Sequence, residues 1–224
     1  MWGLGRFVLF AAALALSGVA AWRMAIRWHP PVERYPSQGV DVSEATGAIE
    51  WPVLKGAGAE FGYAVATVGA TARDRAFQSH WAAMAAAGVR RGAIHVFSFC
   101  QPPAAQADAF NTVVPRDDTA LPAAIAFAFD EGCADRPDRG HLIDGVKDMI
   151  ERIESHTGKP VLLQVTKSVE KEYHLTDSFH RSLWATGNFL SPTYGARGWR
   201  MWRASDIRRV DGVEGPVNWD VAAK

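Results

Sequence analysis

The sequence predicts an α/β fold in which a mostly parallel sheet is wrapped by helices and preceded by a separate apolar segment at the N-terminus. Short apolar runs bounded by Gly or Pro alternate with longer stretches of helical period, the pattern of strands linked by crossover helices. Eight such runs occur, enough to close a barrel. Ahead of them, residues 7–22, FVLFAAALALSGVAAW, form one uninterrupted apolar stretch. A chain of 224 residues suits one main domain with a sizeable core.

Residues 1–28 read as an export signal or anchor, because Arg6 precedes the apolar stretch, Arg23 follows it, and Gly18 and Ala20 are placed as a cleavage site. The stretch is shorter than the roughly 20 residues of a spanning helix, yet Trp22 and Trp28 beside Arg23 and Arg27 suit an interfacial belt. A cleaved signal peptide and an uncleaved anchor in the inner membrane, with the rest of the chain in the periplasm, both remain open. Residues 29–37 read as a tether and residues 38–224 as the folded domain. Strands are expected at 39–43, 60–67, 91–99, 121–129 and 159–166, with three shorter ones in SLWATG, GWRMWRA and GPVNWDV. Phe77, Trp81, Met84 and Val89 recur at helical spacing, as do Leu142, Ile143, Val146, Met149, Ile150 and Ile153. No internal repeat is visible.

Composition excludes several classes. Hydrophobic residues at 48% and charged residues at 21% exclude a disordered chain. The balance of 24 Lys+Arg against 24 Asp+Glu leaves no basic footprint for nucleic acid. Two cysteines, Cys100 and Cys133, are too few for a Cys-rich zinc site, and no H-E-x-x-H, Walker loop, G-x-G-x-x-G or G-x-S-x-G occurs. No metal and no cofactor are therefore expected. Outside the cytoplasm the two thiols are expected to form a disulfide. His95 lies inside a strand near its C-terminal end, where barrel enzymes place site residues, and reads equally well as a hydrogen-bonded core histidine.

GVDVSEATGAIEWPVLKGAGAEFGYAVATVG (39–69) resembles the opening of family 25 glycoside hydrolases, the bacterial and phage lysozymes that cut peptidoglycan between N-acetylmuramic acid and N-acetylglucosamine. The resemblance continues through AFQSHWAAMAAAGVRRGAIHVF, SLWATG, MWRASD and VDGVEGPVNWDV, covering about residues 38–222. It implies an irregular, TIM-like (β/α) barrel with its groove over the C-terminal ends of the strands. It also supports the Cys100 to Cys133 disulfide.

The same resemblance implies that the hydrolytic pair is gone. Glycosidic cleavage needs a carboxylic acid to protonate the leaving oxygen and a second carboxylate as nucleophile, base or stabiliser. The family carries them as D-x-E on one strand, where residues i and i+2 share a face about 6.6 Å apart. Alignment of LPAAIAFAFDEGC places Ala126 at the Asp and Ala128 at the Glu. Strand alternation gives the same register, with Ile125, Phe127 and Phe129 toward the helices and Ala124, Ala126, Ala128 and Asp130 toward the interior. The family's Y-x-K-A-[ST]-E-G leaves Val65 and Val68 where a Lys and a Glu stood, and its V-D-x-N places Asn218 at another groove aspartate. Asp41 is the one family acid that remains, and Asp130 and Glu131 are the substitutes an active enzyme would need.

The expectation is thus a degenerate lysozyme-like protein that binds peptidoglycan glycan strands through Tyr63, His95, Trp202, Asn218 and Asp220. The alternatives are a muramidase using Asp41 with Asp130 or Glu131, and an envelope module whose emptied groove holds a protein partner. In each reading the N-terminal segment supplies any membrane attachment.

Overall fold

The computed structural model describes residues 2–224. From the N-terminus the chain forms α1 (Trp2–Ala25), β1 (Gln38–Val42), α2 (Trp51–Gly56), β2 (Phe61–Val68), β3 (Ala72–Arg73), α3 (Phe77–Ala86), β4 (Arg90–Val96) and α4 (Pro103–Val113). It continues through β5 (Ala124–Phe127), α5 (Arg139–Thr157), β6 (Leu162–Val165), α6 (Lys167–Tyr173), α7 (Leu175–Ser178), β7 (Ser182–Thr186), β8 (Met201–Arg208) and β9 (Val217–Ala222).

Eight of the strands close a barrel in the order β1, β9, β8, β7, β6, β5, β4, β2, with β2 returning to β1. Neighbours are parallel except at β9, which runs antiparallel to both β8 and β1. The two-residue β3 adds an antiparallel strip outside β2. All eight expected strands are present, at shifted ends. The one expected at 121–129 is confined to Ala124–Phe127, since Pro122 has no N–H to give to a ladder.

Side-chain alternation divides the apolar residues into two cores. Phe61, Tyr63, Ile94, Ala124, Ala126, Leu162, Trp184 and Met201 fill the barrel. Gly92 leaves room for one of these rings, because a Cβ there would collide with Tyr63. The alternate residues, among them Val40, Ile125, Phe127, Leu163, Val165 and Val221, meet the helices outside. The expected helix over 142–153 is α5, capped by Asp138, which accepts from Gly140 N and His141 N, and closed by Gly158 in the left-handed region at φ 71°. Cys100 and Cys133 form the expected disulfide, joining the loops that follow β4 and β5.

The structure corrects the tether. Residues 26–37 are packed onto the barrel and cover the outer faces of β8 and β9, where no helix lies. Trp28 meets Trp202 edge-on at 6.3 Å, Tyr35 meets Trp202 and Trp199 at 6.1 and 5.7 Å, and His29 meets Trp219 at 6.5 Å. The Gln38 amide donates to Pro30 O and Tyr35 O, both at 2.9 Å. The folded unit therefore begins before residue 38.

Candidate functional site

At the C-terminal mouth of the barrel, inward positions on three strands bring Asp41, Arg203 and Asn218 together. Asp41 on β1 stands opposite Asn218 on β9 in the ladder. Arg203 Nε and Nη2 both reach Asp41 Oδ2, at 2.8 and 2.7 Å, and Asn218 Nδ2 donates to Oδ1 at 2.8 Å. The Asp41 side chain is 4% exposed and that of Arg203 23%. Burial disfavours the guanidinium charge, but Asp41 and Asp220 outweigh it and hold the Arg203 pKa above its ordinary value. An aspartate clamped in this way is charge-neutralised and has both oxygens engaged, so it is poorly suited to act as a base or nucleophile.

Asp220 shares this inward face one step deeper. Its Oδ1 accepts from Trp184 Nε1 at 2.9 Å, while Oδ2 is buried without a hydrogen-bond partner. Burial first, and then the neighbouring Asp41 charge, push its pKa well above the usual carboxylate range, so it favours the protonated state.

The opposite wall is stripped of acid. Ala124 and Ala126 belong to the interior core while Ile125 and Phe127 belong to the outer one, the predicted register of β5. Ala126 is 7% exposed, and Ala128 follows it past the strand end in the open mouth. Ala126 pairs across the ladder with Gln164 of β6. The Gln164 Nε2 is buried and lacks a hydrogen-bond partner, a deficit worth about 1 to 3 kcal/mol. Its ladder neighbour at 126 presents a methyl group where the resemblance implies a carboxylate. Val65 packs on the interior cluster and Val68 is exposed at the rim.

Several expected site residues lie elsewhere. Tyr63 sits deep in the barrel, its ring 4.9 Å from Trp184 and its hydroxyl donating to Pro122 O at 3.1 Å toward the opposite end. His95 faces outward, with Nδ1 2.8 Å from Thr67 Oγ1 and Nε2 3.0 Å from Gln106 Oε1 on α4. Burial pulls its pKa down to about 4 against the opposing Gln106 bond. Trp202 is buried on the outer face under the tether, donating to Gly187 O at 2.6 Å. With Trp184 and Trp219 also buried, none of the three offers a stacking face to a sugar. Asp130 and Glu131 are exposed in the loop closed by the disulfide, where Asp130 Oδ1 turns back to accept from Gly132 N at 3.1 Å. They do not join the Asp41 cluster.

Sequence reasoning missed Arg203 and Gln164. The visible signal for Arg203 was a charged residue directly after Trp202, inside GWRMWRA, one of the runs expected as a strand. Glu170, His174 and Asp177 place ligand atoms within 4.8 Å of one another on the outer layer, but Glu170 is already taken by Thr176 N and Oγ1 at 3.1 and 2.5 Å.

Comparison with known proteins agrees with this architecture. The family model described as glycosyl hydrolases family 25 matches residues 40–213. A family 25 glycosyl hydrolase from Bacillus anthracis is 28% identical, with a TM-score of 0.79 over 87% of this chain and 92% of that one. A bacterial lysozyme from Streptomyces coelicolor is 27% identical, with a TM-score of 0.75 over 82% and 90%. Among curated sequences, Lysozyme M1 of Streptomyces globisporus is 28% identical over 84% of this chain and 68% of its own length. The uncharacterized protein YegX of Escherichia coli K12 is 27% identical over 84% and 70%.

Proposed function

Because the chain belongs to glycosyl hydrolases family 25, we propose that it is an exported lysozyme-like protein that holds peptidoglycan glycan without cutting it. The observation that carries this reading is the β5 wall, where Ala126 faces inward against the unpaired Gln164 amide and Ala128 stands at the mouth. Neither methyl group transfers a proton, the remaining family acid, Asp41, is clamped by Arg203 and Asn218, and Asp220 is buried beneath it on Trp184. What remains suits binding. The partly exposed Arg203 and Asn218 supply donors to sugar hydroxyl and acetamido groups, and the Gln164 NH₂ on the opposite wall is a donor without a partner. The disulfide and the apolar α1 support an oxidising location outside the cytoplasm.

Sedimentation with purified sacculi tests this function. The full chain is expected in the glycan pellet, released by soluble muropeptide oligosaccharide, with Arg203→Ala weakening retention. A chain that stays in the supernatant would overturn glycan binding and favour a protein occupant for the emptied groove.

A further inference from the structure

The tether fixes which end of the barrel points toward the apolar helix. Residues Arg6–Ala25 of α1 form a 20-residue apolar helix with none of its span buried against the protein. At 1.5 Å per residue it is about 30 Å long, the thickness of a bilayer's hydrocarbon core. Its helical bonding runs on through Ile26 N to Trp22 O and Trp28 N to Ala25 O, at 3.0 and 3.2 Å. The next residues are pinned at once to the barrel. Arg209 N donates to Ile26 O at 2.7 Å and Arg208 Nη1 to Arg27 O at 3.2 Å.

Those partners stand at the C-terminal end of β8, the end that carries the mouth. The tether then descends the barrel wall to the other end, where Lys224 Nζ reaches Glu33 O at 3.0 Å and Ala222 N reaches Ser37 O at 2.9 Å. The apolar helix therefore leaves the barrel from its groove end.

A second feature lies beside that exit. In the loop after β7, Phe189 is 38% and Leu190 80% exposed, and the Phe189 ring meets Trp28 edge-on at 5.3 Å. Phe189 holds φ at 67°, a conformation that aromatic residues rarely adopt. Trp22, Arg23, Arg27 and Arg209 are exposed around the junction, a belt of aromatic and basic residues of the kind found at bilayer interfaces. The acids nearby in sequence are Asp206, held by Asn188 Nδ2 at 2.6 Å, and the exposed Asp211 and Glu214.

We infer that the barrel rests on a phospholipid bilayer by its groove end, with Phe189 and Leu190 in the interface beside Trp28. The inference rests on α1 staying attached. It also brings the proposed glycan-binding groove to the membrane surface, toward the glycan nearest the bilayer.

The test uses the full chain in vesicles of phosphatidylethanolamine and phosphatidylglycerol. In membranes of the cells that make the full chain, recovery of the intact N-terminal peptide after an alkaline wash is expected, and its loss by cleavage would overturn the inference while leaving glycan binding to the sacculus assay. A dye is then attached at Val68→Cys or at Glu60→Cys, exposed positions about 26 Å apart along β2 at the groove end and the far end. Energy transfer to an acceptor on the lipid headgroups is expected to be greater from position 68. Equal transfer, or more from position 60, would overturn the orientation. Phe189→Ser with Leu190→Asp is expected to reduce the difference between the two dyes while the chain stays in the membrane. An unchanged difference would remove the loop from the interface.

Discussion

At the scale of single residues, the mouth of the barrel is governed by one buried ion pair and one unpaired amide. Removing Arg203 leaves Asp41 buried with only the Asn218 amide for compensation. Arg203→Met is accordingly expected to lower stability by about 3 kcal/mol, and adding Asp41→Asn to recover most of it, in a urea-unfolding double-mutant cycle. Gln164 makes a second prediction. Ala126→Asp meets the Gln164 NH₂ group, whereas Ala124→Asp, two residues deeper on the same face, meets only the apolar interior. The first is expected to be less destabilising by about 2 kcal/mol, and equal costs would remove the Gln164 argument. Asp41 and Asn218 were legible in the sequence as groove positions because the family motifs name them, and Asp220 as a neighbour of Asn218 on the same strand face. Arg203 and Gln164 were not, because their importance lies in which partner each has or lacks across a ladder. Trp202 misled for the opposite reason. Its motif position was readable, but the tether covering it was not.

At the scale of elements, strand identity followed from short apolar runs between Gly and Pro, and all eight barrel strands were found that way. The reversal of β9 was not legible, since a strand's own alternation is the same in either direction. α4 begins with Pro103 and is rich in Ala, so its buried face, Gln106, Ala107 and Phe110, carries too weak an apolar stripe to stand out. The tether has no period at all, since Trp28, His29 and Tyr35 each dock separately on the outer face of β8 and β9. The disulfide acts at this scale by joining two loops of the mouth across a sequence separation of 33. Cys100→Ser with Cys133→Ser is expected to lower stability by about 2 to 4 kcal/mol in chemical denaturation, while the barrel strands persist by circular dichroism.

At the scale of the whole molecule, the barrel is the scaffold of a lysozyme with its polar chemistry redistributed. Titration shows part of that redistribution. Above about pH 7, His95 is neutral in both folded and unfolded chains. Between its unfolded value near 6.5 and its folded value of about 4, the unfolded chain binds the extra proton, so stability falls as pH falls, by about 3 kcal/mol across that window. His95→Gln is expected to be less stable at neutral pH and to show a shallower loss between pH 7 and 4, read by thermal unfolding.

The central claim is that the barrel no longer cuts glycan. Its most direct test is the release of reducing ends from purified peptidoglycan by the full chain, beside an active family 25 lysozyme. The account predicts no release above the buffer background. Release at a meaningful fraction of the control, abolished by Asp41→Asn or Asp130→Asn, would contradict it and make the acids of the mouth a working catalytic pair.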